Sequence, residues 1–127
     1  MGLTNAGRNF IAEALINDTS PTFYDNSNAF LGVGDDNTAF AVGQTDLQAV
    51  ANKVRVGMEA TYPQRTDNVL TFRSVFGSGV GDFEWAEWAS FNHTSAGDML
   101  QRKVEALGTK ASGSWQLTAT ITVSIGS

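Results

Sequence analysis

The sequence contains no cysteine, two prolines and one histidine. The missing cysteines exclude disulfides, thiolate zinc sites and cysteine nucleophiles together, and they free the fold from any need for an oxidising compartment. With two prolines against 13 glycines, the turns must be made by glycine and by Asn/Asp-rich clusters. Charge is sparse too. Charged residues are 17% of the chain, and eight basic against thirteen acidic residues leave a net charge of −5. That balance repels a nucleic-acid backbone, so no nucleic-acid partner is expected. Half of the basic residues fall in two pairs, Lys53 with Arg55 and Arg102 with Lys103. Each pair lies in a segment that reads as strand, and each reads as a solvated strand face. No stretch approaches the ~20 apolar residues of a membrane helix, so no membrane partner is expected. Met1-Gly2-Leu3-Thr4-Asn5-Ala6 lacks the features of a signal peptide, and Ala6 stands where a myristoylation motif has Ser or Thr.

What is present suits one domain: 127 residues, 42% of them hydrophobic. Residues 4–16 predict a helix capped by Thr4 or Asn5, with Leu3, Ala6, Phe10, Ile11, Ala14 and Leu15 near a 3.6 period. Asn17-Asp18-Thr19-Ser20-Pro21 ends it. The rest reads as β. Ala29–Val33 is a short apolar run. Residues 36–50 are a polar loop with a turn of helix expected near Asp46–Val50. Strands are expected at Lys53–Met58, Val69–Phe76, Asp82–Phe91 and Met99–Leu107. The last segment is the clearest: Trp115, Leu117, Ala119, Ile121, Val123 and Ile125 alternate with Gln116 and a series of hydroxyl residues. Period-two spacing gives that strand one dry and one wet face. The expected fold is mainly β, an antiparallel β-sandwich or small barrel with one short N-terminal helix. It divides into an N-terminal helix or arm, 1–25, and a sandwich, 26–127. Trp85, Trp88, Trp115, Leu117, Ile121 and Phe72 are the expected core.

Catalytic chemistry finds little to stand on. His93, the one possible histidine base, sits in the polar turn Ser90-Phe91-Asn92-His93-Thr94-Ser95, and no Gly-x-Ser-x-Gly elbow occurs. Glu84 and Glu87 suggest a glycosidase pair, but three residues apart on a regular strand they point to opposite faces. They read as rim carboxylates beside packed tryptophans. Gly34-Asp35-Asp36-Asn37 has the oxygen ligands of a calcium turn without EF-hand spacing. No catalytic residue, cofactor or metal is therefore expected. Phe83, Trp85, Trp88 and Phe91 form an aromatic cluster that serves a core, a protein contact or a sugar. Gly32-Val33-Gly34-Asp35 echoes Gly79-Val80-Gly81-Asp82, a four-residue match on which nothing is built.

Several motifs follow one another in a familiar order. Gly97-Asp98-Met99-Leu100-Gln101-Arg102-Lys103-Val104 leads to Lys110 and then to Trp115-Gln116-Leu117-Thr118-Ala119-Thr120-Ile121-Thr122. This resembles the "G-x-M-L-x-R", Lys, "W-x-L-x-x-T-I-T" series of small virion proteins of tailed bacteriophages. Phe83–Phe91 is similar to their "f-x-i-x-E-x-G-l-F" strand, with Glu87 in the acidic place and Ala89 where glycine is usual. Leu3-Thr4-Asn5-Ala6-Gly7-Arg8 resembles their "L-T-x-A-G" opening, Phe30-Leu31-Gly32-Val33-Gly34-Asp35 their "l-G-x-G-d" turn, and Thr45-Asp46-Leu47 their "T-x-L" step. The resemblance spans nearly the whole chain.

It implies a non-enzymatic virion structural protein made in the bacterial cytoplasm. Among such proteins a capsid decoration (cement) protein is favoured, because the chain has no fibre shaft. The implied partners are the major capsid protein or other virion proteins, and further copies of the chain, with a trimer favoured. Residues 1–25 are expected to dock on an adjacent subunit. Contacts are expected at Phe10, Phe23, Tyr24, Tyr62, Arg102 and Lys103, the last two pairing with an acidic coat surface. The alternatives are a tail, baseplate or fibre-attachment protein and a carbohydrate-binding module using Trp85 and Trp88.

Overall fold

A computed structural model describes residues 2–124. In chain order the elements are β1 (Gly2–Leu3), α1 (Asn5–Ile16), β2 (Phe30–Gly34), β3 (Lys53–Gly57), β4 (Gln64–Thr66), β5 (Val69–Phe76), β6 (Glu84–Phe91), β7 (Met99–Thr109) and β8 (Trp115–Thr122). They form two antiparallel sheets, one of five strands in the order β1-β7-β6-β2-β3 and one of three in the order β4-β5-β8. The arrangement is the expected sandwich, not a closed barrel. The main core lies between the sheets and includes Leu31, Val33, Phe72, Phe76, Trp85, Trp88, Ala119 and Ile121, with Trp115 and Leu117 packed at its margin.

Two strands of the sandwich escaped the sequence pattern: β1 and β4 are two and three residues long, too short to show a period. In β8 the alternation holds, with the odd-numbered residues turned inward and Gln116, Thr118, Thr120 and Thr122 exposed. Ile125, placed on the dry face by that alternation, lies outside the described residues.

The helix starts where its cap requires. The Thr4 hydroxyl accepts from the Gly7 N–H at 2.9 Å and donates to the Met99 carbonyl, so the cap also pins the helix to β7. Thr4 N–H bonds Leu100 O at 3.1 Å and Asn5 N–H bonds Val42 O at 2.8 Å. At Gly7 a Cβ would collide with the Leu100 carbonyl, so glycine lets the helix touch the strand. Asn17, with φ 52°, closes it in the left-handed conformation. The buried positions are Gly7 and Phe10, whereas Ile11 and Leu15 of the apolar set remain exposed, as does Ile16. Residues 2–16 thus lie on the chain's own five-stranded sheet.

Strand β6 departs from regularity at Trp85/Glu87 and again at Ser90/Phe91. The first irregularity lets Trp85 and Trp88, three residues apart, enter the same core, against the simple period-two rule. The aromatic cluster is split: Phe91 lies in a second small cluster with Leu47, Ala89 and Met99. The Gly-Val-Gly-Asp echo has no structural counterpart. Its first copy is strand β2, while the second is a turn with Gly79 at φ 80° and Gly81 at φ 71°.

Candidate functional site

The loop 36–50 is held against the five-stranded sheet by a charge pair. Glu87 of β6 and Arg102 of β7 are both 0% exposed. Glu87 Oε1 accepts from Arg102 Nε at 2.7 Å and from the Gln48 N–H at 2.8 Å, and Oε2 accepts from the Ala49 N–H at 2.8 Å. Arg102 Nη1 donates to Thr38 O at 2.9 Å and Gln44 Oε1 at 3.2 Å. Gly34 is required beside the pair, because a Cβ there would enter the Glu87 carboxylate. The loop's N–H groups are consumed by carboxylates, Leu47's by Asp46 and the next two by Glu87. No helical turn forms near Asp46–Val50, where one was expected.

Three readings of charge are corrected here. Glu87 is no rim carboxylate; it is buried with three donors, while Glu84 is exposed on the other side of the irregularity. Arg102 is not available to an acidic partner surface, because its guanidinium is turned inward onto Glu87. Arg55 is not solvated on a strand face either. Its guanidinium lies 3.4 Å over the Phe91 ring and donates to His93 O at 2.8 Å, Ala96 O at 3.0 Å and Asp46 at 3.1 Å. Burial pushes the Asp46 carboxyl up, but Lys53, the Leu47 N–H and Arg55 outweigh it, so the group sits below its ordinary value. Lys110, the conspicuous lysine of the motif series, is likewise buried and ties Gly77 O (2.9 Å) to Asp82 (2.6 Å). In the Gly34–Asn37 turn, Asp35 accepts from Asn52 and Asp36 from the Thr38 N–H.

The expected contact residues separate into groups. Phe10, Phe23 and Tyr24 come together, with Phe10 edge-on to Tyr24 at 4.8 Å and to Phe23 at 6.5 Å. The Tyr24 hydroxyl donates to Asp98 O at 2.6 Å. Burial first, then the Asp98 charge, raises its phenol far above the ordinary value, against a smaller lowering by Arg55. Tyr62 stands apart beneath Arg73, whose guanidinium is 4.5 Å from its ring. Lys103 is partly exposed and pairs with Glu105 at 3.6 Å.

The aromatic group borders an opening at the edge of the sandwich. A groove of about 510 Å³ runs between α1 and the three-stranded sheet, walled by Phe10, Ile11, Leu70, Phe72, Leu100 and Ile121. It exists because three strands face five, so the smaller sheet stops at β8 while β7, β1 and α1 continue beyond it. Gln101 also lines it, buried, and its side-chain carbonyl has no donor among the described residues. Exposed Phe23, Ile11 and Val123 add apolar surface at this end of the molecule. No family model and no curated protein matches the chain. Fold and groove together define a class, a two-sheet antiparallel sandwich with an apolar groove at one end.

The Glu87–Arg102 pair carried a faint signal in the sequence at one partner only: Glu87 is a lone carboxylate in the apolar run Trp85–Ala89, whereas Arg102 stands between Gln101 and Lys103. The groove carried none, because its walls come from segments far apart in the chain.

Proposed function

We propose that the protein is a structural component of a tailed-bacteriophage virion, a capsid decoration protein that binds the coat lattice and other copies of itself. The observation that carries the reading is where the motif residues sit. Thr4, Gly7, Gly34, Leu47, Glu87 and Arg102 come from five separate motifs of the resemblance. Each packs against β6 or β7: Thr4 and Gly7 at Met99 and Leu100, Leu47 with Ala89, Phe91 and Met99, and Gly34 and Arg102 at Glu87. Scattered chance similarities have no reason to converge in space, whereas the signature of one scaffold does.

The scaffold reading also leaves the chemistry-bearing groups with structural work. The remaining surface feature of note is an apolar groove, which suits attachment. Many copies on a lattice gain from multivalency, so each contact is modest. Trp85 and Trp88, 2% and 6% exposed, offer no ring face to a sugar, which sets the carbohydrate-binding alternative aside. The second reading, a tail, baseplate or fibre-attachment protein, rests on the same motifs. Quantitative mass spectrometry of purified particles separates the two. A ratio to coat protein near one or a simple fraction supports decoration, a few copies per particle support the tail, and absence from particles overturns both.

A further inference from the structure

We infer that β8 is a self-association edge, through which two copies of the chain pair antiparallel about a two-fold axis. Four strand edges end the two sheets. Three are protected in recognisable ways. β4 is three residues long and carries Arg65, and β3 carries Lys53 and Arg55. At the remaining edge β1 is two residues long, and the stretch of β7 it leaves uncovered beyond Gln101–Arg102 carries Lys103 and Glu105 and is distorted at Gly108, φ 105°.

β8 has none of these devices. It runs eight residues without charge, proline or register shift, pairs with β5 along its full length, and has no partner on its other side among the described residues. In a chain of net charge −5, an uncharged strip of this kind is where copies can approach without repulsion.

The best-matched occupant is β8 itself. Antiparallel pairing centred on Ala119 sets Leu117 opposite Ile121, Thr118 opposite Thr120 and Trp115 opposite Val123. Inward residues meet inward residues, the threonines form cross-strand pairs on the outer face, and exposed Val123 gains an aromatic cover. The partner strand would lie over the groove, whose floor at Leu3 and Leu100 belongs to the sheet that extends past β8. Eight residues span about 27 Å, and two packed layers are about 20 Å thick. The contact is then on the order of 1,100 Å² in total, above the roughly 1,000 Å² expected of a specific interface. A two-fold contact uses the same strand on both copies, so the basic unit is a dimer rather than the trimer expected from the sequence. The inference is independent of the virion reading.

Sedimentation velocity on the purified chain across about 1–200 µM tests it. The expected result is reversible dimerisation that Thr118→Lys with Thr120→Lys weakens at least tenfold, since both positions are exposed and the lysines face each other only across the axis. Gln64→Lys, on the β4 edge, leaves the dimer intact. The chain lacks cysteine, so Ala119→Cys should give a reducible cross-linked dimer and Gln116→Cys none. A monomer throughout the range, a three-fold mass, or a dimer indifferent to the lysine pair overturns the proposal. Copy number in particles is measured separately and responds only to the virion reading.

Discussion

The outer face of the five-stranded sheet and the open end at β8 are finished in opposite ways. On the outer face a charged pair, backbone donors and a glycine close the loop 36–50 over the sheet, with Glu87 and Arg102 wholly removed from water. At the open end the smaller sheet stops early, and an apolar groove lies beside an uncharged strand. Buried ion pairs are costly to desolvate, and an apolar substitute of similar shape is often as stable. The face that carries one is therefore a device for fixing a single loop arrangement. The open end has the reverse character: apolar along the groove and uncharged along β8. In one small domain, polar burial supplies definition on one face while apolar surface is left exposed at the other end.

The strongest way to break that contrast is to remove half of the buried pair. Glu87→Ala leaves the Arg102 charge and two loop N–H groups without their acceptor. It should cost about 3–5 kcal/mol in urea unfolding, a large share of a small domain's stability. Replacing both partners, Glu87→Leu with Arg102→Met, should recover part of that loss. Recovery stays incomplete because Gln48 and Ala49 still lack an acceptor. A Glu87→Ala protein as stable as the parent would remove the closed face from the comparison.

Gly34→Ala comes next, at about 1–3 kcal/mol, because the added methyl enters the space of the Glu87 carboxylate and the core cannot expand freely. The same urea titration reads it, and a cost near zero would show that the loop can lift away.

A smaller effect is expected from acid. Asp46 is held below its ordinary value in the fold. Its stabilising contribution is therefore present above the unfolded value of about 3.9 and is lost as pH falls through the lower folded value. The unfolding midpoint should drop on going below about pH 4, and Asp46→Asn should show less of that drop. Equal slopes for the two proteins would detach Asp46 from the loop clamp.

The open end should be the most tolerant. Leu15→Lys and Ile16→Lys alter side chains 81% and 78% exposed and should change stability by less than about 0.5 kcal/mol. A larger loss in the dilute, unassociated protein would show that the exposed helix face is not free, which would sharpen the contrast from the other side.

Local pattern carried much of the architecture. The Thr4 cap, the alternation of β8 and the turn clusters are short-range signals, because a cap acts over three residues and a strand's period over two. By themselves these residues determined that the chain is a β-rich domain with one leading helix, and they named Phe72, Trp85, Trp88 and Ile121 of its core. Only the tertiary structure decided what the charges do. Whether Arg102 faces water or Glu87 depends on a loop some 60 residues earlier folding over the strand, and burial is set by what covers a side chain, which no local period records. The irregularity that sends Trp85 and Trp88 into one core is likewise a matter of pairing between β6 and β7. The groove and the free edge belong to the same order of information: they arise because three strands were laid against five, a mismatch that exists only once the sheets have met.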